Sequence, residues 1–375
     1  MSAPIVDSHI HLFPASHLPT LTWYEPGNPL GAQHSVDEYR RASSAISTRS
    51  DTTDRKFLRG FIFLETDRLS SVKNNGPHSP GWQHALDEVS FLTRIALGEP
   101  VLGEGHDATQ KDLCLGIIPW APVPGGPKAL ASYMAQAKER TKTESVWHKV
   151  RGVRYLVQDK PSGVMLQPLF VEGLRWLGQQ GFTFDLGVDA RQGGLHQLRE
   201  AVEMMKQLGD QRPVTIIINH MCKPNLRIAP QDVSSHPEFL EWSKLIRQMA
   251  EVSPTTYMKL SGAFSELPPL PVNNDPDIDD LVERVQPWTD VVFDSFGPER
   301  IMFGSDWPVC NIGGGGNAVS WTRWTQVVEG IMKRRGLSQT QKEGVWGGVA
   351  VKAYGLNSSF CNTSRQIVHS ISQRL

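Results

Sequence analysis

Cysteine is scarce in this chain of 375 residues, which has four, and no two of them form a Cys-x-x-Cys pair. The positions Cys114, Cys222, Cys310 and Cys361 are scattered, which argues against a structural zinc site built from cysteines, because such sites need closely spaced thiolates. Unpaired thiols are typical of a reducing compartment. We therefore expect a cytoplasmic protein.

Excess charge and long apolar runs are missing as well. The formal net charge is −1, so no basic face for nucleic acid is indicated. No apolar run approaches the roughly 18–20 residues of a membrane span. The first residues, Met1–Pro4, lack the basic-then-apolar layout of a signal peptide. The composition thus predicts neither a nucleic-acid partner nor a membrane partner.

Three familiar catalytic or phosphate-binding motifs are also absent. No Gly-x-Gly-x-x-Gly follows a strand-like run, so the common dinucleotide-binding signature is missing. No Gly-x-Ser-x-Gly elbow supports a serine hydrolase, and no phosphate-cradling P-loop is present. Any chemistry must therefore come from other residues.

The chain does contain a regular alternation of short apolar runs with longer segments of helical period. The runs that read as strands are Ile5–His9, Phe57–Leu64, Leu113–Ile118, Val150–Val157, Phe182–Val188, Val214–Asn219, Tyr257–Leu260 and Ile301–Phe303. The segments that read as helices are Trp82–Leu97, Lys128–Arg140, Pro168–Gln179, Leu195–Leu208, Glu238–Val252, Ile278–Ser295 and Val319–Arg334. This alternation predicts an α/β fold with a parallel sheet, and eight repeats predict a (β/α)8 barrel. An open doubly wound sheet is the alternative.

No segment reads as a domain linker, so we expect one barrel domain over residues 1–355. The polar stretches Thr66–Pro80 and Leu97–Lys111 are interpreted as long loop insertions. Pro268–Pro276 is rich in Pro, Asn and Asp and is expected to overhang the barrel mouth. Residues 356–375 are interpreted as a C-terminal surface extension.

The two ends of the chain each carry half of a candidate site. The first strand-like run closes on His9 and His11, and residues i and i+2 of a strand point to the same face. The last strand-like run is followed by Asp306. If the first and last strands are neighbours in a closed barrel, Asp306 reaches the same point as the two histidines. Two imidazoles and a carboxylate suit zinc or a similar cation, and equally a hydrolytic site.

Further polar residues follow the other strands, and the carboxyl ends of barrel strands carry the chemistry. Glu65 is a candidate ligand or hydrogen-bond acceptor. His220 is a candidate proton donor or carbonyl polariser, because the pKa of imidazole can lie near neutrality. Asp185 is a weaker candidate for substrate binding, since the neighbouring Asp189 and Arg191 compete for that role.

The fourth strand offers two arginines for one role. Arg151 and Arg154 are three residues apart and point to opposite faces of an extended strand. We favour Arg154 as the inward residue that binds a carboxylate or a carbonyl oxygen, and Arg151 stays a second candidate. Tyr155 and Trp307 are expected to supply flat walls for a substrate ring.

Four segments together resemble the amidohydrolase superfamily, and most closely its branch of sugar-acid lactonases and pyrone-dicarboxylate lactonases. They are Val6–Leu12, Ile218–Pro224, Lys259–Gly262 and Phe303–Pro308. The resemblance implies a distorted (β/α)8 barrel in which activated water attacks a lactone carbonyl. The expected substrate is an aldonolactone such as L-rhamnono-1,4-lactone.

The resemblance also implies roles for the candidate residues. Asp306 becomes the general base, and His9, His11 and His220 bind a metal or polarise the carbonyl. A single divalent ion, zinc first, is expected on His9 and His11 with Glu65 or Asp306, although the branch includes members that work without metal. Asp185 stands where metal-rich members carry a histidine, and the fourth strand lacks a bridging lysine, so a binuclear centre is not expected.

Two alternatives remain open at this point. The same barrel could decarboxylate an aromatic or muconate-like acid, although such members generally need the missing strand-five histidine. A non-catalytic sugar-acid binding barrel is the other alternative. Barrels of this type often pair, which is compatible with a homodimer.

Overall fold

The computed structural model describes residues 3–44, 56–73, 81–209, 214–268 and 276–356. The strands in these ranges are β1 Ala3–Ile10, β2 Lys56–Leu64, β3 Cys114–Ile118, β4 Gly152–Arg154, β5 Thr183–Leu186, β6 Ile216–Ile218, β7 Thr256–Leu260 and β8 Ile301–Phe303. The α-helices are α1 Val36–Ser43, α2 Gln83–Leu97, α3 Gly126–Arg140, α4 Glu144–Trp147, α5 Pro168–Gln180, α6 His196–Leu208, α7 Pro237–Val252, α8 Ile278–Phe296, α9 Asn311–Gly314, α10 Ser320–Arg334, α11 Gln339–Glu343 and α12 Val349–Ala353.

The strands form a distorted (β/α)8 barrel. Parallel ladders run from β1 to β3 and from β4 to β8. Isolated parallel bridges, Ile117 to Val150 and Trp120 to Arg154, join the two sheets on one side. On the other side Ile10 bridges to Trp307, and the backbone N–H of His11 donates to the carbonyl oxygen of Trp307 over 2.7 Å. These short bridges close the barrel at both seams between the two sheets.

Each strand buries side chains on both faces, as expected for a parallel sheet covered by helices. One cluster fills the barrel interior and includes Ile62, Ile217 and Met302. Val349 and Tyr354 belong to the same cluster, so α12 and the residue after it cover one end of the barrel. The opposite faces of the strands pack against the surrounding helices in a second, larger cluster.

The sequence-based elements agree with the structure to within a few residues. The main difference is strand length: the fourth strand was expected over Val150–Val157, and only Gly152–Arg154 is paired as a strand. In α6 the apolar residues at helical spacing form a buried stripe that includes Leu198, Ala201 and Met205. Most of the predicted overhang, residues 269–275, and the predicted C-terminal extension after residue 356 lie outside the described residues.

Candidate active site at the carboxyl ends of the strands

His9 and His11 point into the barrel mouth from the end of β1. Their Nε2 atoms are 3.2 Å apart. Asp7, fully buried two residues earlier, fixes this end of the strand: one carboxylate oxygen accepts the Ser305 N–H over 2.8 Å. Its other oxygen accepts from the Tyr39 hydroxyl over 2.9 Å. Asp7 is therefore a buried link between β1 and the turn after β8.

Asp306 completes the convergence that the sequence predicted. Its Oδ1 lies 3.6 Å from Nε2 of His9, of His11 and of His220. Burial by itself would raise the pKa of Asp306, but the neighbouring His220, His11 and Lys223 outweigh it and hold the pKa below its ordinary value. The carboxylate is thus ionised and able to accept a proton.

His220 belongs to a turn with unusual backbone geometry. Residues 220–223 all have positive φ, between 46° and 61°, and none of them is glycine. The left-handed conformation costs on the order of 1–2 kcal/mol per L-residue and rarely extends beyond single residues. Such strain concentrates at functional sites, where the surrounding structure holds it.

The ring of His220 is fixed by β7. Its Nδ1 is 2.9 Å from the Ser261 hydroxyl. The next residue, Gly262, has φ of 68°, and a Cβ there would lie 2.6 Å from Nδ1 of His220. Burial lowers the pKa of His220 to about 3, although Asp306 opposes the shift. The imidazole is neutral near pH 7, so we correct the expectation that it titrates near neutrality.

A buried polar chain supports His9 from behind. Lys259 lies with its Nζ 3.3 Å from Nδ1 of His9 and 2.6 Å from Asp185. Asp185 also accepts from Asn219 and from the Tyr354 hydroxyl. Burial lowers the pKa of Lys259 to about 8, with Asp185 opposing the shift. The structure therefore corrects the expected role of Asp185: its carboxylate holds Lys259 beneath the site and does not line the cavity.

His9, His11 and Asp306 have the donor chemistry of a divalent metal site. Their ligand atoms lie within 4.8 Å of one another, and the part of the chain that the structure describes contains no second group of this kind. Nδ1 of His11 faces the carbonyl oxygens of Leu64 and Glu65 at 3.1 and 3.0 Å. Because carbonyls only accept, His11 is protonated on Nδ1 and its Nε2 lone pair is available. The donor set fits one ion that prefers imidazole and carboxylate.

Two further contacts bear on the metal site. Burial, aided by Lys259, holds the pKa of His9 well below its ordinary value, so the ring is neutral as a metal ligand must be. When Lys259 donates to Nδ1 of His9, the ring proton sits on Nε2, which faces Nε2 of His11 at 3.2 Å. An ion bound through Nε2 of His9 would require that proton to move to Nδ1, in place of the hydrogen bond from Lys259. Glu65, expected as a ligand, is not in the cluster because Arg154 and the Asp67 N–H engage both of its carboxylate oxygens.

Arg154 faces the cavity from β4 as one half of a buried ion pair. Its Nε donates to Glu65 over 2.6 Å, and its Nη2 donates to the carbonyl oxygen of Glu65 over 2.7 Å. Both side chains are almost entirely inaccessible to solvent. The pairing leaves Nη1 as the part of the guanidinium that can reach a ligand.

A cavity of about 310 Å³ opens above these groups. Its wall combines the charged side chains of the site with amides, aromatic rings and aliphatic groups. The lining residues are His11, Phe13, Trp23, Asn28, Leu30, Thr66, Asp67, Arg154, Leu156, Gln158, Gly187, His220, Lys223, Asp306, Pro308, Val309 and Ile312. A wall that offers both polar and apolar groups suits a small ligand that carries both hydroxyl and alkyl groups.

Three residues expected to bind substrate lie elsewhere. Trp307 is fully buried and donates from Nε1 to Asn317 over 2.7 Å. Tyr155 is buried against Trp120 and does not line the cavity. Arg151 precedes β4 and donates to the carbonyl oxygen of Tyr354 over 2.6 Å, and it does not line the cavity. Each expectation is corrected, because neighbouring core or backbone groups occupy these side chains.

Several cavity residues were not singled out from the sequence. Trp23 supplies the aromatic wall expected of Trp307, and its Nε1 donates to the carbonyl oxygen of Thr66 over 3.0 Å. Asp67 follows Glu65 by two residues; burial, with the charge of Glu65 adding to it, raises the pKa of Asp67 to about 6. Lys223 follows His220 by three residues. That three-residue spacing was the signal in the sequence, but it indicates a shared face only once the conformation of the turn over residues 220–223 is known.

No helix among the described residues is long and apolar enough to cross a membrane.

Comparison with protein-family models identifies an amidohydrolase match over residues 109–356. The chain is 36% identical over 355 residues to an L-rhamnono-gamma-lactonase of Scheffersomyces stipitis, covering 94% of this chain and 98% of that protein. It is 27% identical over 210 residues to an L-fucono-1,5-lactonase of Burkholderia multivorans, covering 56% of this chain and 64% of that protein.

Among solved structures, a Burkholderia multivorans amidohydrolase with bound HEPES matches with a TM-score of 0.66 and 24% identity, over 95% of this chain and all of that one. A second crystal structure from the same organism, described as an amidohydrolase with bound zinc, matches with a TM-score of 0.64 and 24% identity over 95% and 100% of the two chains. These likenesses support the barrel fold.

Proposed function

Because the chain belongs to the amidohydrolase family, we propose that it is a lactonase, a hydrolase that opens a sugar-acid lactone to the free sugar acid. The substrate class is an aldonolactone such as L-rhamnono-1,4-lactone. The identity to a lactonase over nearly the whole of both chains supports this reaction.

The observation that carries the proposal is the environment of Asp306. The Asp306 carboxylate, whose pKa is held below its ordinary value, lies 3.6 Å from three imidazoles at the floor of the cavity. A carboxylate held in this way can take a proton from water without being neutralised by a direct ion pair. The amide groups of Asn28 and Gln158 on the wall can bind sugar hydroxyls, and Leu30 and Leu156 offer an apolar contact.

In the proposed reaction Asp306 removes a proton from water while the water oxygen bonds to the lactone carbonyl carbon. The carbonyl oxygen gains negative charge, and Nη1 of Arg154 can donate a hydrogen bond to it. When the tetrahedral intermediate collapses, the bond from the carbonyl carbon to the ring oxygen breaks. The proton held by Asp306 passes to that ring oxygen, which becomes the hydroxyl of the sugar acid.

His220 acts in this scheme as a neutral group. With a pKa of about 3 it cannot supply an imidazolium near pH 7. Its Ser261 contact fixes the ring so that Nε2 faces Asp306, where it can orient the attacking water. A divalent ion on His9, His11 and Asp306 would supply Lewis-acid polarisation of a bound oxygen.

The test is a pH-indicator hydrolysis assay over a panel of aldonolactones of both ring sizes, with and without a chelator. We expect turnover of at least one deoxy-sugar lactone above its spontaneous opening rate. Release of carbon dioxide from aromatic acids is measured in parallel to test the decarboxylase alternative. Absence of lactone turnover under both metal conditions would reject the proposal.

A further inference from the structure

Lys223 shares a cavity face with His220 because of the turn that contains both. The Lys223 N–H donates to the carbonyl oxygen of His220 over 2.8 Å, and the Cys222 N–H donates to that of Asn219 over 2.9 Å. These i to i+3 bonds give three residues per turn, so residues 220 and 223 lie on the same side. Both line the cavity.

The turn is left-handed at four successive non-glycine residues. Its last two residues are held by neighbouring backbone, since the N–H groups of Ala190 and Arg191 donate to the carbonyl oxygens of Cys222 and Lys223. A right-handed path through these residues would carry Lys223 to another side of the chain. The strained path is thus what brings the ammonium to the cavity.

The ammonium of Lys223 is the less compensated of the two basic groups on the cavity wall. Arg154 is engaged by Glu65 at 2.6 Å. The nearest carboxylate oxygen to Nζ of Lys223 belongs to Asp189, at 3.9 Å, beyond hydrogen-bonding distance. Within the described ranges Nζ has no hydrogen-bond partner, so its N–H groups are available to a ligand.

The charge of Lys223 also acts on the reacting groups. It contributes to the lowered pKa of Asp306 and to that of His220. Asp189, which orients Lys223, is itself fixed, because its Oδ1 accepts the Gln192 N–H over 2.7 Å. Lys223 and Asp306 both line the cavity, so the lysine shares that space with the proposed base.

We propose that Lys223 is a further catalytic residue, whose ammonium donates a hydrogen bond to the lactone carbonyl oxygen as that oxygen becomes negatively charged. This assignment rests on the proposed lactonase function. Lys223 approaches from the loop after β6, whereas Arg154 approaches from β4, so the two cations can hold the oxyanion from different sides. The lysine keeps its protons throughout, and no proton is consumed by the contact.

If Lys223 is catalytic, its removal should lower kcat and leave KM nearly unchanged. An interaction that forms fully only in the transition state changes kcat and leaves KM nearly unchanged. Removing one such donor typically lowers kcat about 10²–10³-fold. A lysine that served only to bind the ground state would instead raise KM.

The experiment compares wild type with Lys223→Met, Lys223→Gln and Lys223→Arg, using the lactone that wild type hydrolyses best. For the Met and Gln variants we expect kcat to fall about 100-fold with KM within about threefold. Lys223→Arg keeps a cationic donor, so its kcat should be at least about tenfold higher than that of the Met and Gln variants. Lys333→Met, at an exposed position on α10, is the matched control and should match wild type.

Asp189→Asn and thermal unfolding distinguish catalysis from support of the fold. If Lys223 only stabilised the turn through its ion pair with Asp189, Asp189→Asn and Lys223→Met would lower the activity by the same factor. They would also lower the melting temperature by the same amount. We instead expect kcat to fall much further in the lysine variants than in Asp189→Asn. A kcat within about twofold of wild type in folded Lys223→Gln, or a loss confined to KM, would overturn it. An inactive wild type would instead reject the lactonase function and this assignment with it.

Discussion

The backbone N–H of Asp306 donates a hydrogen bond to the carbonyl oxygen of His9 over 2.9 Å. This bond joins the turn after the last strand to the end of the first strand, at the seam where the barrel closes. It places the Asp306 carboxylate beside Nε2 of His9 and of His11. The proposed base is therefore positioned by main-chain geometry, and its side chain is left available for chemistry.

We expect Asp306→Asn to abolish most lactone hydrolysis while leaving the fold intact. Asn is isosteric and tolerates the positive φ of 61° at this position, but it cannot accept a proton from water. Loss of a general base typically costs about 10²–10⁴ in rate. Steady-state kinetics and a melting curve measure the two effects. Near-normal kcat in a folded variant would contradict the assignment of the base.

Gly262→Ala should impair catalysis through His220. The added Cβ would lie 2.6 Å from Nδ1 and 2.8 Å from Cβ of His220, so the imidazole must move away from Ser261. A displacement of about 1 Å in a catalytic group can cost about 100-fold in rate. Kinetic assay of the variant gives the loss.

The matched control for this prediction is Gly181→Ala. Gly181 has φ of 78°, similar to the 68° of Gly262, but no atom lies within 4 Å of the position that an added Cβ would occupy there. Both variants carry the backbone strain of alanine at positive φ, and only Gly262→Ala meets the histidine. Equal kcat values in the two variants would show that the contact with His220 is unimportant.

Asp67→Asn should stabilise the protein above pH 6 more than at pH 4. Burial, with Glu65 adding to it, raises the pKa of Asp67 from 3.8 to about 6. The folded state then binds a proton more tightly than the unfolded state, so this carboxyl lowers stability as the pH rises from 3.8 to about 6. Asn lacks the charge and avoids that cost.

Urea unfolding at about pH 4 and about pH 7.5, on either side of the raised pKa, measures the effect of Asp67→Asn. Because Asp67 lines the cavity, we also expect KM for the lactone to rise. A stability gain that is the same at both pH values would show that the pKa of Asp67 is not raised.

Arg154→Met should destabilise the protein and also lower kcat. The variant leaves the carboxylate of Glu65 buried without its partner, and breaking a buried pair in this way costs about 3–5 kcal/mol. Adding Glu65→Gln removes the unpaired charge, so the double variant should recover much of the free energy of unfolding but not kcat. Equal stability of the single and double variants would contradict the buried-pair interpretation.

Zinc should bind to the wild-type protein and raise its melting temperature. A ligand at about 100 times its Kd stabilises the folded state by about 2.7 kcal/mol. His11→Ala removes the histidine whose Nε2 lone pair is available and should abolish the shift. Differential scanning calorimetry of tag-free protein with and without zinc measures it. A shift that persists in His11→Ala would place the ion elsewhere.

Much of this architecture could be read from the sequence, because periodicity is a local property. The apolar stripe of α6 and the β-branched run of β6 identify a helix and a buried strand without reference to the rest of the chain. The i, i+2 spacing of His9 and His11 likewise predicts a shared face. Closure of the barrel then brings Asp306 to them, as expected if the first and last strands are neighbours.

The sequence did not predict which charged side chains on different strands pair with one another. Asp185 was expected to bind substrate. It holds Lys259 instead, because the Asp185 side chain on β5 and the Lys259 side chain on β7 both point into the barrel interior. Glu65 was expected to bind metal, and it is neutralised by Arg154 from a strand two places along. Which opposite charges meet depends on the register and closure of the whole sheet, and no local pattern encodes them.

The sequence by itself determined the alternation of strands and helices, the inward histidine pair and the acidic residue after the last strand. Only the tertiary structure decided which polar groups pair with one another and which, such as Lys223, are left facing the cavity. The physical reason is that a strand pattern sets the direction of a side chain, whereas its partner, burial and pKa come from residues distant in the chain.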